Sequence, residues 1–270
     1  MEVRQEHLEG TSLIGNDLTG VDLEQWYESE EEGFYWAIGE GNPDPDSIAY
    51  VLITRALNQF HGSYLPKRKF NECVAIGCAE GSDILSLGRE IGHVTAIEPC
   101  KKWWADEWQG VPFSYRMPTL DGTIDLPDNS ADLVVALGAL HHIATVEHVV
   151  SEMIRVMKPG GSLIIREPIT SMGDFRKRRS GLTKYERGIP FDLMTSFIKI
   201  AGGKVAHTVP SSFQAINRAL HPFGIFAHNH KLLVWLDFII SRLTVFNARY
   251  WRPRLIDKIA PTSMTYVAAK

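Results

Sequence analysis

The sequence predicts an α/β fold with a doubly wound, mostly parallel sheet. Three observations carry that reading. Short apolar runs recur at residues 73–76, 94–97, 133–137 and 163–165. Helix-like stretches lie between them, and a glycine-containing turn follows the first run at once. Strands alternating with helices imply a parallel sheet covered on both faces, and near-continuous apolar strands suit burial on both sides.

The elements follow in order. Residues 1–45 are acidic and irregular, with aromatics at Trp26, Tyr27, Phe34, Tyr35 and Trp36, and read as an arm over the main domain. Gly41-Asn42-Pro43-Asp44-Pro45 is turn chemistry. Asp46 or Ser47 caps a predicted helix to about Phe60, with Ile48, Val51, Leu52 and Leu57 on its apolar side. Within the alternating region, helices are predicted over 82–90, 101–108 and 146–157, with a further strand over 113–116. After Pro168 a polar, basic loop leads to a helix over 191–201, ended by Gly202-Gly203, and a strand over 204–209. Residues 211–261 are rich in aromatics and histidine and read as a helical substrate lid inserted into a core of 46–210. Residues 262–270 supply the core's final strand.

Composition narrows the function. Hydrophobic residues make up 44% and charged residues 22%, so the chain can bury a sizeable core. A formal net charge of -4 argues against a nucleic-acid binder. The basic run Arg176-Lys177-Arg178-Arg179 reads first as a solvated loop and second as a contact for an anionic substrate. Cys73, Cys78 and Cys100 are an odd set without paired spacing, against a disulfide framework or zinc site and in keeping with a reducing cytoplasm. The opening MEVRQEHLEG lacks the apolar core of a signal peptide, and no apolar stretch is long enough to span a bilayer.

Two features suggest an adenosyl cofactor. The run Val74-Ala75-Ile76-Gly77-Cys78-Ala79-Glu80-Gly81-Ser82 takes a strand through a tight turn into a helix. Glycine there permits close approach of a ligand, and a helix N-terminus favours an anionic group. Glu98 ends the next strand, about 20 residues on, where a carboxylate can accept both ribose hydroxyls.

The turn reads G-x-A-x-G, with Ser82 in the place of a dinucleotide enzyme's third glycine. This resembles the first motif of class I S-adenosylmethionine (SAM)-dependent methyltransferases. Leu126-Pro127-Asp128-Asn129-Ser130-Ala131-Asp132, Ala139-Leu140-His141-His142-Ile143 and Arg155-Val156-Met157-Lys158-Pro159-Gly160-Gly161 are similar, in family order, to stretches of the type 11 branch. The resemblance covers about residues 70–168. It implies a Rossmann-like seven-stranded sheet with an antiparallel last strand. It also implies that Gly77, Cys78, Ala79 and Gly81 wrap the methionine part of SAM, that Glu98 with Pro99 holds the ribose, that Asp121 or its neighbours Leu120 and Gly122 approach the adenine, and that Leu137 and Gly138 line the cofactor beside the reacting sulfur. Two departures stand out. Ala75 occupies a position where the family often has an acid, so a residue of the N-terminal arm is expected to hold the methionine amine. Ala79 replaces the middle glycine, which is tolerable if its φ is negative.

Methyl transfer to a hydroxyl is helped by a general base, and histidine titrates in the right range. His141 and His142 follow the fourth strand and Glu167 ends the fifth, so a histidine–carboxylate pair is expected beside the cofactor. The bland alternative is that the two histidines only shape the pocket. The acceptor is expected to be a small molecule or glycan, contacted by the insert. His221, His228 and His230 lack a carboxylate or cysteine at ligand spacing, so no metal is expected. The apolar helix near 232–243 reads first as lid or dimer packing and second as contact with a lipid-linked substrate or membrane surface. The Tyr185-Glu186-Arg187-Gly188-Ile189-Pro190 stretch and the long insert resemble glycan- or natural-product-modifying members, favouring O-methylation. Alternatives are a C-methyltransferase of the quinone-biosynthesis type and a non-catalytic SAM-binding regulatory protein.

Overall fold

The computed structural model describes residues 3–38, 45–177, 179 and 182–270, with side chains described outside 31–38 and 45–53. The N-terminal segment is helical: α1 (Gln5–Glu9), α2 (Gly20–Ile38) and α3 (Pro45–Gly62). That corrects the expectation of an irregular arm. Trp26 on α2 is fully buried and donates its indole N–H to the carbonyl of His142, 2.8 Å away, so tertiary burial holds this segment in place. The turn at Gly41–Asp44 lies outside the described residues.

The alternating region comprises β1 (Phe70–Ile76), α4 (Ser82–Leu85), β2 (Ile91–Ile97), β3 (Glu107–Trp108), β4 (Val111–Arg116), β5 (Ala131–Leu137), α5 (Val146–Val156) and β6 (Met157–Pro168). After it come α6 (Phe191–Ile200), β7 (Lys204–Ser211), α7 (Gln214–Leu220), α8 (Lys231–Thr244) and β8 (Ser263–Ala269). Among the described residues the sheet has eight strands in the order β3-β4-β2-β1-β5-β6-β8-β7. β8 lies between β6 and β7, antiparallel to both. Seven of these strands form the expected sheet, and the eighth is the two-residue β3, paired antiparallel with β4.

Side chains alternate between two cores, as the pleat requires. Val74, Ile76, Val134, Ala136, Leu163 and Ile165 face α5 and α6. Cys73, Ala75, Leu133, Val135 and Ile164 face the other layer with Phe113 and Leu87.

Two predicted helices are cut short. α4 is a single turn rather than a helix over 82–90, and Gly88 beyond it takes a left-handed φ of 66°. Over 101–108 only a 3-10 turn at Lys101–Trp103 forms. Trp104 instead donates to the carbonyl of Glu98 and stacks on Tyr115, while Glu107 and Trp108 pair with β4. Tertiary contacts override local propensity at both places.

Candidate active site

Strand order reverses between β1 and β5, and open α/β sheets bind ligands in the crevice beyond such a reversal. Gly77 stands at the end of β1 with φ of 57°, and a Cβ there would lie 2.6 Å from the Cβ of Ala139 after β5. Only glycine lets these two turns approach so closely. Gly81 has φ of 90°, and a Cβ there would meet the Phe113 ring at 2.3 Å.

Between them Ala79 has φ of 47°, correcting the expectation of a negative value. An L-residue pays about 1–2 kcal/mol for that conformation. Two hydrogen bonds offset the cost: the Ala79 N–H donates to Glu98 Oε2 at 2.9 Å, and its carbonyl accepts from the Tyr115 hydroxyl at 3.1 Å. Tyr115 has no counterpart in the sequence reading, because its role depends on β4 lying beside β2.

Glu98 is buried, and its Oε1 accepts the Cys100 N–H at 2.9 Å. Burial raises its pKa, while the backbone donors of Cys100 and Ala79 pull the other way and the nearby Glu80 charge adds to the rise. A carboxylate offers about four acceptor positions, so two remain after these bonds, matching a ribose diol. Trp104 and Tyr115 form an aromatic wall beside it. Cys78 lies within this shell, and burial and the Glu98 charge push its thiol pKa up. The turn and carboxylate therefore fit an adenosyl ligand.

The other cofactor candidates are spread out. Leu137 is buried at the end of β5 and Gly138 follows it, beside the cavity described below. Pro99 is exposed next to Glu98. Leu120 and Asp121 sit on an exposed turn. The Asp121 carboxylate accepts from Thr119, from the Thr123 hydroxyl and from the Thr123 N–H, and the hydrogen bond from Thr119 is the chief cause of its lowered pKa. Among the described residues no hydrogen bond joins this turn to the Gly77–Gly81 loop. Ala75 is buried in the sheet. The described part of the N-terminal arm reaches the histidine turn through Trp26 and Glu30, while the side chains of 31–45 lie outside the described set.

The histidine turn is heavily buttressed. His141 Nδ1 lies 2.7 Å from Glu167 Oε2, and Glu167 Oε1 accepts the N–H groups of Ala139 and Leu140. Glu167 is buried, and His141 is nearly so. His142 packs against His141 at 4.2 Å between ring centroids, and its Nδ1 lies 2.8 Å from Glu30 Oε2. Arg187 is wholly buried and donates to the carbonyls of Ile14, His141, Ile143 and Ala144. Burial lowers its pKa to about 10. Glu186 brings Oε1 within 3.7 Å of His141 Nε2. His141, His142 and Glu186 thus present ligand-type atoms within 4.8 Å of one another, a cluster the sequence reading did not foresee.

A cavity of about 890 Å³ opens beside this turn, lined by Gly138 and His141. Arg166, Arg218, Arg252 and Lys258 also line it, and among the described residues its wall contains no Asp or Glu. Arg166 is partly compensated, bonding to Asn58 and lying 3.8 Å from Asp83. His221 and His230 are not part of that wall, whereas His228 is, held neutral with a pKa of about 4 by burial and the Arg166 charge.

Known proteins resemble this chain in sequence and fold. The type 11 methyltransferase domain model matches residues 74–165. Over that stretch the chain is similar to the class I, SAM-dependent methyltransferases of type 11. That likeness implies SAM as the cofactor. The domain is 29% identical over 160 residues to the 27-O-demethylrifamycin SV methyltransferase of Amycolatopsis mediterranei, covering 56% of this chain and 52% of that protein. An uncharacterized methyltransferase of Mycobacterium tuberculosis is 30% identical over 98 residues, covering 35% of this chain and 49% of that protein. This chain therefore spans about half the length of the curated relatives it matches. In fold, the domain is similar to a chain from the Haloferax volcanii complex of the Trm112 methyltransferase activator with a methyltransferase, at a TM-score of 0.58 and 13% identity over 88% of this chain and 97% of that one.

Proposed function

We propose that the protein is a SAM-dependent methyltransferase acting on a hydroxyl of a small acceptor, such as a sugar, a glycan or another hydroxylated metabolite. His141 is the general base and Glu167 positions it. The observation that carries this reading is the 2.7 Å contact between His141 Nδ1 and Glu167 Oε2 at the carboxyl edge of β5 and β6. Glu167 already accepts two backbone N–H groups on its other oxygen. That arrangement favours the tautomer with hydrogen on Nδ1 and a lone pair on Nε2. Nε2 can then take the acceptor's proton as its oxygen attacks, and Glu167 and Glu186 stabilise the imidazolium that forms.

The bound cofactor supplies an activated sulfonium methyl group. The chain's part is to align the acceptor oxygen behind that methyl and exclude water. Gly77, Cys78, Ala79, Gly81 and Glu98 are the cofactor cradle in this reading, with Pro99, Leu137 and Gly138 beside it and Leu120 and Asp121 toward the adenine. The name of the Amycolatopsis relative describes an O-demethyl acceptor, which supports oxygen over carbon.

The cavity wall bears on the acceptor itself. Among the described residues Arg252 Nη1 is buried without a hydrogen-bond partner, and the neighbouring Arg218 charge joins burial in lowering its pKa. A cationic wall with no carboxylate among its described residues suits an acceptor that carries an anionic group.

Release of S-adenosylhomocysteine in an acceptor screen, with product analysis by NMR, tests the activity. His141→Ala should abolish turnover and leave SAM affinity intact. Full turnover in both His141→Ala and His142→Ala would end the general-base reading, and a new C–C bond in the product would replace O- by C-methylation.

A further inference from the structure

The insert between β7 and β8 turns a broad apolar face outward. Leu232, Trp235, Leu236, Ile239 and Leu243 recur on one side of α8 and are 84, 53, 45, 50 and 67% exposed. Phe246, just beyond the helix, is 87% exposed. The opposite side is already used: Val234 and Ser241 are buried, and Asp237 accepts the N–H groups of Ser212 and Phe213. The outward stripe is therefore an additional surface rather than an unfilled core. Leu255, Ile256 and Ile259 extend it, since Asn247 donates to the carbonyls of Ile256 and Ile259 and ties that segment to the end of α8.

The exposed charges of residues 221–260 have one sign. Lys231, Arg242, Arg249, Arg254 and Lys258 are exposed. The acids of residues 221–260 are Asp237 and Asp257, and both are buried. Asp257 accepts the Arg254 N–H and lies 3.9 Å from Arg249. A chain with a net charge of -4 thus carries exposed cations, and no exposed acid, in the segment 221–260 that also holds Leu232, Phe246 and Leu255, the three most exposed large apolar side chains among the described residues.

We propose that this face seats on an anionic lipid bilayer, with α8 lying in the interface plane. Exposed aliphatic and aromatic side chains enter the boundary between headgroups and acyl chains while surrounding Lys and Arg reach lipid phosphates. No described helix is long and apolar enough to cross a membrane, so the contact is peripheral. A second copy is a poor occupant, because a two-fold contact through this face would set like charges against each other. The same segment supplies Arg252 and Lys258 to the cavity wall, so the seated face and the cavity share one structural element.

Vesicle flotation with the full chain tests the proposal without reference to methyl transfer. The protein should float with vesicles containing about one-third phosphatidylglycerol, not with pure phosphatidylcholine, and added salt should release it. The triple change Leu232→Ser, Leu243→Ser and Phe246→Ser should weaken partitioning about tenfold or more, as should Arg242→Gln with Arg254→Gln, with melting temperature unchanged because all five side chains are exposed. Absence of flotation with anionic vesicles would overturn the proposal, as would undiminished binding by both variants. A wild-type dimer in light scattering that the triple change turns into a monomer would assign the face to a second copy instead.

Discussion

Glu167 holds both the His141 ring and the backbone on which that ring is mounted. One carboxylate oxygen faces His141 Nδ1 at 2.7 Å, and the other accepts the N–H groups of Ala139 and Leu140 at 2.9 and 2.8 Å. The ring's tautomer and the turn's shape therefore depend on the same buried group. Glu167→Gln separates the two roles. The amide oxygen can keep the backbone bonds, but its NH2 then faces Nδ1 and drives the ring hydrogen to Nε2. Turnover should fall about 10²–10⁴-fold, the range of a lost general base, while SAM affinity holds. Nitrogen NMR of His141 reads the tautomer directly, and wild-type turnover with hydrogen on Nε2 would defeat the mechanism.

His142 predicts a pH dependence of stability. Burial works to lower its pKa, but the Glu30 hydrogen bond and the charges of Glu186, Glu30 and Glu167 outweigh it, and the net direction is upward from 6.5. A base raised in the fold contributes stability that is complete below its unfolded pKa and is lost as pH climbs through the folded value. His61 and His228 act oppositely. Burial lowers both pKa values, His228 to about 4, so their contribution is lost as pH falls below 6.5. Melting temperature should peak near neutrality. His142→Gln should flatten the alkaline side and His228→Gln the acid side. An alkaline side unchanged in His142→Gln would show that Glu30 does not charge that ring.

What the sequence made legible follows from locality. β1, β2, β5 and β6 are apolar enough to be read directly, and the family's strand order makes β5 and β6 neighbours, which is why His141 and Glu167 could be paired in advance. Glu30, Glu186 and Arg187 could not. Glu30 meets His142 across 112 positions, and Arg187 meets His141 across 46. No local period marks an acid or arginine that will be buried against a distant turn. The Tyr185–Pro190 stretch stood out only by resemblance, not by the contacts it makes. The shortness of α4 depends likewise on packing, since Asn58 of α3 bonds Asp83 and Ser86 within and after its single turn.

Ala79 offers a test of the cofactor loop. Its left-handed φ of 47° is costly for alanine and natural for glycine. Ala79→Gly keeps the N–H that Glu98 accepts. It should raise stability by up to about 1 kcal/mol after glycine's greater unfolded-state entropy is set against the relieved strain. SAM affinity should be equal or better. A clear loss of stability in denaturant titrations would mean that the loop is not held in this conformation.

Zinc should inhibit rather than assist. His141 and His142 each use Nδ1 toward a buried carboxylate, and a carboxylate behind a ring orients it as a metal ligand. Glu186 supplies a third ligand-type atom within 4.8 Å. A zinc ion there would take the His141 lone pair that the base role requires. Added zinc should suppress turnover, a chelator should restore it, and His142→Ala should blunt the effect. Stimulation by zinc would assign the cluster to catalysis through metal instead.

The cationic wall predicts how acceptors are chosen. Arg252 has a buried Nη1 without a partner among the described residues, and burial and the Arg218 charge both work against its own charge. An anionic group on the acceptor would satisfy that donor and relieve the repulsion at once, a gain open to no neutral acceptor. Matched acceptors with and without a carboxylate or phosphate should therefore differ in kcat/KM by about tenfold or more, the worth of one charge-assisted hydrogen bond of about 1.5–3 kcal/mol. Arg252→Gln should erase most of that difference by raising KM for the anionic acceptor alone, since the residue lies in the cavity wall and the base is His141. Equal preference in wild type, or a preference that survives Arg252→Gln and Arg218→Gln together, would show that the acceptor's charge is read elsewhere.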